Sequence, residues 1–302
     1  MSTSHLNALL SAADGVILGK SRQIRLAVCC ILAQGHLLIE DIPGVGKSTL
    51  SHTLARLFGM DYQRIQFTND ILPADIIGST IFDAREQQFS FHPGPLFKHM
   101  ILADEINRAT PKSQSALLEA MEERQVTVDG KTHELPQPFF VIATQNPSHQ
   151  IGTFPLPESQ LDRFLMRIEL GYPSRQAERE LLMGKPRHAL IAELPVQLPR
   201  KQLLELQDAA HKVHVSAALL DYLQALIAFS RESNLYPSGL SPRAGLGLLS
   251  AAKAWSLMDG RQSVLPEDIQ AVLPAVAAHR LRASSNDSAA IVAPMLQQVP
   301  VF

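Results

Sequence analysis

The sequence predicts an α/β fold, in which an αβα domain built on a parallel sheet precedes a smaller all-helical domain. Short apolar runs alternate with helical patterns over the first 172 residues, which is typical of parallel strands joined by helices. After Gly171-Tyr172-Pro173 the strand patterns stop and only helical patterns follow. We therefore expect an αβα domain over residues 1–172, a linker over 173–195 and a helical domain over 196–302.

The elements of the first domain follow from their periodicity. Residues 6–34 predict two helices that flank a turn at Val16-Ile17-Leu18-Gly19, and the next apolar run predicts a buried strand at 36–40. Ser113 to Glu123 has the apolar spacing of a helix, and Asp129-Gly130 would form the turn of a hairpin. Ser79 to Asp83 and Gln87 to Phe91 could pair as one hairpin, and Val126 to Leu135 would form the hairpin that contains the Asp129-Gly130 turn. Further strands are predicted at Tyr62 to Phe67, His99 to Ala103, Phe139 to Ala143, and Arg167 to Leu170.

The second half of the chain predicts helices and one loose segment. Ser174 is placed to cap a helix rich in Arg and Glu. Residues 184–199 carry three prolines and are expected to be irregular. From Arg200 onward the patterns are helical, including Ala244 to Trp255 and a helix whose first turn contains Pro266.

Composition is that of a globular protein, and we expect a cytoplasmic one. Hydrophobic residues make up 46% of the chain and charged residues 19%, and no run of eighteen uncharged apolar residues predicts membrane insertion. The first residues lack the basic and apolar segments of a secretory signal. Cys29 and Cys30 are adjacent in a helical pattern, so they point apart and fit the core of a protein from a reducing compartment. The net charge of −2 argues against strong non-specific binding to nucleic acid.

A phosphate-binding loop is the strongest local signal. The apolar run Leu37 to Ile39 is followed by a loop with Gly44 and Gly46, then by Lys47-Ser48-Thr49 and a helical pattern from Leu50 to Phe58. Glycines let backbone N–H groups turn towards an anion, and the helix N-terminus adds a positive dipole end. Lys47 would reach the β- and γ-phosphates of a nucleotide, and the Ser48 hydroxyl would bind Mg²⁺.

Two features qualify this interpretation. An ordinary strand-to-helix turn is the alternative, but the agreement of strand, loop, Lys-Ser pair and helix favours phosphate binding. In the pattern G-x-x-x-x-G-K-[ST], Asp41 occupies the position of the first glycine. The remaining residues of the pattern are present, so the loop could still bind phosphate.

A pair of carboxylates follows a second buried strand. Asp104 and Glu105 end the apolar run that begins at His99, and ligands of open parallel sheets bind at the carboxyl ends of the strands. Asp104 suits a direct or outer-sphere role at Mg²⁺, and Glu105 suits the base that orients water towards the γ-phosphorus. An Asp-Glu pair alone is more often a solvated strand end, but the upstream Lys47-Ser48 makes the assignment strong.

Three further polar residues have both a functional and an ordinary interpretation. Asn146 follows another apolar strand, where an amide could bind the attacking water or a γ-phosphate oxygen; the alternative is a turn asparagine before proline. Arg163, in a predicted amphipathic helix, could stabilise transition-state charge in a neighbouring subunit or could pair with Asp162 or Glu158. Arg243 lies near a helix start, where a cation is disfavoured, which is a modest indication of function.

Together these motifs resemble those of the MoxR family of AAA+ ATPases, and the resemblance covers most of the chain. Asp41 in place of glycine is similar to a variant that this family uses. The stretches that carry the resemblance are Leu38-Ile39-Glu40-Asp41-Ile42-Pro43-Gly44-Val45-Gly46-Lys47-Ser48, Arg64-Ile65-Gln66-Phe67-Thr68, Phe91-His92-Pro93-Gly94-Pro95-Leu96-Phe97, Ala103-Asp104-Glu105-Ile106-Asn107-Arg108-Ala109, Ala143-Thr144-Gln145-Asn146-Pro147, and Leu156-Pro157-Glu158 through Phe164.

The resemblance implies a P-loop AAA+ core with a helical lid, ATP and Mg²⁺ as ligands, and catalytic roles for four residues. Glu105 would be the base, Asn146 the sensor-1 residue, Arg163 the arginine finger and Arg243 the sensor-2 arginine of the lid. Ser48 and Asp104 would be the metal ligands. The residues expected at the nucleotide are Val16, Ile17, Gly19, Asp41, Pro43, Gly44, Val45, Gly46, Lys47, Ser48, Thr49 and Asp104.

The resemblance also implies partners. The family forms hexameric rings with ATP at subunit boundaries, matures or activates other protein complexes, and often works with a protein that carries a von Willebrand factor A domain. The two hairpins would face the pore or the client. A nucleic-acid motor is one alternative, but the hairpin over Val126 to Leu135 is near neutral. A magnesium-chelatase-like motor and a nucleotide-gated scaffold with slow turnover are the others.

Overall fold

The computed structural model describes residues 2–85, 87–146, 152–281 and 287–301. The strands are β1 (Leu37–Glu40), β2 (Tyr62–Gln66), β3 (Gly78–Asp83), β4 (Gln88–Pro93), β5 (Met100–Asp104), β6 (Gln125–Val128), β7 (Lys131–Glu134), β8 (Phe140–Gln145) and β9 (Met166–Ile168). The helices are α1 (Ser2–Val16), α2 (Ser21–Leu32), α3 (Lys47–Leu57), α4 (Pro73–Ile77), α5 (Pro111–Glu123), α6 (Glu158–Leu161), α7 (Arg175–Met183), α8 (Arg187–Glu193), α9 (Arg200–His211), α10 (Ala217–Glu232), α11 (Pro242–Met258), α12 (Pro266–Leu281) and α13 (Ser288–Gln298).

The predicted parallel sheet is confirmed. Five strands lie in the order β2-β5-β8-β1-β9, and every neighbouring pair is parallel. The central strands are short continuous apolar runs because helices cover both faces of the sheet, and Met100 to Ala103 have no exposed surface. Their carboxyl ends lie at one edge, where Glu40 of β1 pairs in register with Gln145 of β8.

Two hydrophobic cores lie on opposite faces of this sheet. Leu37 and Ile39 of β1 belong to the first core, whereas Leu38 belongs to the second, because alternate residues of a strand point to opposite faces. The first core continues into helices α9 to α13, so the helical lid packs on the αβα domain through apolar side chains. In this contact the Sγ atom of Cys29 donates a hydrogen bond to the carbonyl of Ala251, 3.3 Å away.

Local sequence signals set the helix ends. Ser174, Ser216 and Ser241 precede α7, α10 and α11, and each side chain accepts a hydrogen bond from a backbone N–H of the first turn. Pro111 and Pro266 begin α5 and α12, where proline lacks only a donor that the helix would leave unused. The predicted cap at Ser174 and both predicted hairpins are therefore present, with β3–β4 and β6–β7 as the two antiparallel pairs.

The expectation of a loose segment over 184–199 is wrong in its middle. Residues Arg187–Glu193 form α8, which contacts α1 and α3, and Ile191 is buried in the first core. The prolines lie outside this helix, at 186, 195 and 199, so they mark its ends and do not interrupt it. Helices α7 and α8 thus occupy most of the predicted linker, and the boundaries at 172/173 and 195/196 remain a prediction.

Several helix bounds differ from the expectation, and two of these differences bear on the site. Helix α3 begins at Lys47 and not at Leu50, because Gly46 adopts the left-handed conformation directly before it. Helix α6 ends at Leu161, so Arg163 follows a single helical turn and does not belong to a longer amphipathic helix.

Both cysteines are buried and unbridged, as predicted. None of the helices in the described part of the chain has the length and hydropathy that a membrane crossing requires.

A buried histidine joins three elements at the opposite edge of the sheet. The Nε2 atom of His36 lies 3.1 Å from the carbonyl of Met121, and its Nδ1 accepts a hydrogen bond from the backbone N–H of Val141 at 3.0 Å. One donor and one acceptor are what a neutral imidazole offers. Burial lowers the pKa of His36 from 6.5 to about 4, and the charge of Arg124 acts in the same direction.

This histidine should make the protein less stable in mild acid. Between pH 6.5 and pH 4 the unfolded chain binds a proton that folded His36 excludes, so stability falls as the pH is lowered. From pH 7 to pH 5 we expect His36 alone to reduce the free energy of unfolding by about 2 kcal/mol. Denaturant unfolding at both pH values would measure this loss.

Two variants isolate the contribution of His36. Replacement His36→Gln should flatten the pH dependence, whereas His188→Gln, at an exposed position of α8, should leave it unchanged. An equally steep loss of stability in His36→Gln would contradict the assignment.

Candidate functional site

The glycine loop between β1 and α3 lines a cavity of about 350 Å³. Gly44 and Gly46 have φ angles of 84° and 99°, which residues with a side chain rarely adopt, and α3 begins directly after Gly46. The first N–H groups of α3 therefore have no partners within the helix and can bind an anion. The lining residues are Pro43, Gly44, Gly46, Lys47, Ser48, Thr49, Arg64, Asp104, Glu105 and Asn146.

Lys47 is the basic group of this cavity. Its Nζ atom donates hydrogen bonds to the backbone carbonyl of Asp41 at 2.6 Å and to Oδ1 of Asn146 at 3.0 Å. Burial lowers the pKa of Lys47, while the carboxylates of Asp41, Asp104 and Glu105 act in the opposite direction. The partial desolvation of the ammonium group strengthens its attraction to a polyanion, and the nearby carboxylates favour its charged form.

Asp104 ends β5 and is firmly held. Its Oδ2 atom accepts hydrogen bonds from Nη2 and Nε of Arg64 at 2.7 and 3.1 Å, and its Oδ1 accepts one from the Thr144 hydroxyl at 2.5 Å. Ser48, at the start of α3, lines the same cavity. A hydroxyl and a carboxylate are the oxygen donors that Mg²⁺ prefers, so these two residues fit the predicted metal ligands.

Glu105 turns out of the strand with a φ angle of 56°, an uncommon value for a residue with a side chain. Its backbone N–H donates to the hydroxyl of Thr144 at 2.9 Å. Its carboxylate lies 3.1 Å from Nε2 of Gln66 and 3.2 Å from Nε of Arg108, so neighbouring groups aim it into the cavity. Strained backbone of this kind is concentrated at functional sites.

Asn146 connects the base and the lysine. Its Oδ1 atom accepts from Lys47, and its Nδ2 donates to Oε1 of Glu105 at 3.4 Å. The structure therefore brings together Lys47, Ser48, Asp104, Glu105 and Asn146, as the sequence predicts. Pro147, which follows in the predicted motif, lies outside the described residues.

The two predicted functional arginines lie elsewhere. The Nη2 atom of Arg163 is 3.1 Å from Oε2 of Glu122, and Arg243 pairs with Oε1 of the same carboxylate. Neither arginine lines the phosphate cavity. The sequence allows Arg163 to pair with Asp162 or Glu158. In the structure it pairs with Glu122 instead, and Asp162 binds Arg280 of α12.

The aspartate at the unusual loop position does not face the cavity. The Oδ2 atom of Asp41 accepts hydrogen bonds from the backbone N–H groups of Leu170 and Gly171, both at 2.6 Å, and Oδ1 accepts from Ile42. Asp41 thus connects the start of the loop to the segment after β9. Val45 packs against the first core and likewise does not line the cavity.

Val16, Ile17 and Gly19, which the family resemblance would place against the adenine of the nucleotide, lie at the end of α1 and in the turn before α2. Val16 and Ile17 are buried, and Gly19 has a φ angle of 69° and approaches Ala177 of α7. Lys20 next to them donates a hydrogen bond to the carbonyl of Tyr172. None of the three predicted residues lines the phosphate cavity, and their contact with a base remains a prediction.

Sequence reasoning missed four residues of this arrangement. Gln66 and Thr144 lie at or near the ends of β2 and β8, where polar side chains could have been sought as Asp104 was. Arg64 lies in a stretch that carries the resemblance, but the sequence assigns a partner neither to Arg64 nor to Glu122, because β2 and α5 reach their partners only in the tertiary structure.

Comparison with known proteins supports the assignment of an ATPase domain with a helical lid. Residues 36–166 match the model of the ATPase family associated with various cellular activities (AAA), and residues 229–295 match the AAA lid domain. The first match runs from β1 to the first residue of β9 and includes the cavity, and the second spans much of the helical lid.

Individual relatives share most of their length with this chain. It is 43% identical over 88% of its length to the uncharacterized protein YeaC of Bacillus subtilis, of which 83% is covered. It is 41% identical, again over 88%, to chaperone MoxR1 of Mycobacterium tuberculosis, of which 72% is covered. The crystal structure of a presumed ATPase from Cytophaga hutchinsonii matches 99% of this chain and 96% of its own, with a TM-score of 0.89 and 34% identity. The chain therefore belongs to the MoxR family of AAA+ ATPases.

Proposed function

We propose that the protein hydrolyses ATP to ADP and phosphate at the boundaries between its own copies in a ring, and uses the energy to remodel a partner protein. One observation carries this proposal. The cavity at the glycine loop is lined by the Lys47 ammonium, the Ser48 hydroxyl, the carboxylates of Asp104 and Glu105, and the Asn146 amide. By contrast, Arg163 and Arg243 pair with Glu122 away from this cavity. Because neither arginine lines the cavity of its own copy, we infer that both act on the γ-phosphate bound by another copy.

The glycine loop and Lys47 would bind the phosphates of ATP. The N–H groups at the start of α3 and the ammonium of Lys47 face the cavity, and their positive charge would replace the hydration of the phosphates. Ser48 and Asp104 would hold Mg²⁺, which supplies charge neutralisation at the β- and γ-phosphates. On nucleotide binding Lys47 would exchange its bond to Asn146 for one to phosphate.

Glu105 would accept a proton from the attacking water. Its carboxylate is at the cavity, and Asn146, 3.4 Å away, could hold the water or a γ-phosphate oxygen beside it. Thr144 fixes both acidic residues, because its hydroxyl donates to Asp104 and accepts from the N–H of Glu105. The Thr144 side chain of β8 therefore positions both the proposed base, Glu105, and the proposed metal ligand, Asp104.

Arg163 and Arg243 of a neighbouring copy would complete the site. Such arginines stabilise the charge that develops on the transferred phosphoryl group, with effects of roughly 10³–10⁵ on the rate. Because Arg243 belongs to the lid and Arg163 to the αβα domain, loss of the γ-phosphate would release both domains of the neighbour. This release would convert hydrolysis into movement.

The two hairpins support a protein client. At β3–β4, Phe82 and Phe89 are 52% and 71% exposed, with ring centroids 5.2 Å apart, an apolar surface suited to polypeptide. Stacking of Phe91 on His133, 3.9 Å between centroids, places β6–β7 beside it. We favour a hexamer in the cytoplasm, the compartment that suits two unbridged cysteines, and a client with a von Willebrand factor A domain.

Neutralising the base should separate ATP binding from hydrolysis. The variant Glu105→Gln keeps the shape of the side chain but cannot take a proton, so we expect steady-state ATP turnover to fall by about 10²–10⁴. Binding of a fluorescent ATP analogue with Mg²⁺ should remain. Turnover at the wild-type rate would remove Glu105 from its proposed role, and Glu119→Gln on the exposed face of α5 is the matched control.

Mixing two inactive variants should restore activity if the site is shared. Lys47→Ala lacks the phosphate lysine, and Arg163→Ala lacks the arginine, so each alone should be inactive. In an equal mixture roughly a quarter of head-to-tail interfaces would combine an intact loop with an intact arginine. Phosphate release from the mixture would measure the recovery.

The controls for this mixture are simple. The double variant Lys47→Ala/Arg163→Ala mixed with either single variant should stay inactive, and Arg179→Ala, at an exposed position of α7, should hydrolyse ATP normally. Failure of the mixture of single variants would show that the arginine does not act between copies.

A further inference from the structure

One carboxylate holds both arginines that lie away from the phosphate cavity. Glu122, in the last turn of α5, uses Oε2 for Arg163, at 3.1 Å, and Oε1 for Arg243. Two guanidinium groups on neighbouring oxygens of one carboxylate must lie close together. Without the negative charge between them they would repel each other.

The two arginines come from different domains. Arg163 follows α6 in the αβα domain, and Arg243 lies in the first turn of α11 in the lid. A cation at the start of a helix is disfavoured by the helix dipole, so the position of Arg243 needs a compensating anion. Glu122 supplies that anion from the other domain.

A second carboxylate fixes the backbone beside this pair. Asp162 accepts hydrogen bonds from Nε of Arg280 at 2.7 Å and from the Ser241 hydroxyl at 3.1 Å. Arg280 also donates to the carbonyl of Phe164 at 2.7 Å, so it holds the chain on both sides of Arg163. Ser241 caps α11, the helix that carries Arg243. The backbone that carries Arg163 and the helix start that carries Arg243 are therefore both held in place.

The contacts of Glu122 contribute little to stability. The side chains of Glu122, Arg163 and Arg243 are 33%, 29% and 49% exposed, and solvent-exposed ion pairs add little to the free energy of unfolding. The main effect of Glu122 is to orient the two arginine side chains. A long flexible side chain stabilises a transition state only when it points at the reacting group.

We propose that Glu122 is a positioning residue that holds Arg163 and Arg243 as one unit, so that both reach the nucleotide of the neighbouring copy together. This inference rests on the proposed function, since it needs the arginines to act between copies. It adds that Arg163 of the αβα domain and Arg243 of the lid, both in one copy, are presented together to the neighbouring copy.

The first experiment separates positioning from folding. The variant Glu122→Gln keeps the shape of the side chain and removes the charge, and we expect kcat for ATP to fall about 10- to 100-fold with little change in KM. The melting temperature should stay close to wild type. The matched control is Glu123→Gln, the next residue of α5, which makes the same change of charge at an exposed position.

The second experiment asks on which side of the boundary Glu122 acts. Glu122→Gln copies have an intact glycine loop, so mixing them with Lys47→Ala copies, whose arginines are held correctly, should restore turnover. Mixing them with Arg163→Ala copies should restore none, because both variants are defective on the same face. Glu122→Asp, which keeps the charge on a shorter side chain, should have intermediate activity.

The outcomes distinguish this inference from the proposed function. If Lys47→Ala and Arg163→Ala fail to complement each other, the shared site is wrong and Glu122 has no such role. If they complement, but Glu122→Gln turns over normally, turns over faster, or is rescued by Arg163→Ala, only the positioning role is overturned. Should Glu122→Gln fold poorly, Glu122→Asp decides: lowered kcat at unchanged KM supports the role, and wild-type kcat overturns it.

Discussion

The parallel register of the central strands is the constraint on which the rest of the structure depends. Because β1, β5 and β8 run in one direction, the groups that follow them meet at one edge of the sheet: the glycine loop, the Asp104-Glu105 pair and Asn146. A strand shifted by one residue would turn its apolar side chains to the wrong face and move its polar end away. Packing of the two cores therefore fixes the geometry of the site.

Charge at this edge is balanced by groups that also orient one another. Lys47 is buried among carboxylates, Asp104 is held by Arg64 and Thr144, and Asn146 lies between Lys47 and Glu105. Each group limits the rotation of its neighbour, so little reorganisation is needed when a nucleotide binds. The uncommon backbone conformation of Glu105 persists because Thr144 binds its N–H.

The helical lid is joined to the sheet domain in two chemically different ways. An apolar core that includes α2 and α11 gives the contact its area, whereas Asp162 and Glu122 give it direction through ion pairs with α12 and α11. Apolar contact allows small adjustments of the lid, but fixed charges specify where its arginine points. In the proposed mechanism, movement of the lid and presentation of the arginines are thereby linked in one copy of the chain.

Local patterns of residues were enough to establish the fold class, the order of the strands along the chain, the glycine loop and the acidic pair, because apolar periodicity, caps and turns are local. It also indicated Asn146, since that residue ends a recognisable strand. The folded chain was needed to show that Arg163 and Arg243 share Glu122, that Asp41 binds the backbone at Leu170 and Gly171, and that α8 packs in the predicted loose segment. These contacts join residues far apart in the chain, and their pairing depends on how helices lie across the sheet, which no local pattern of residues encodes.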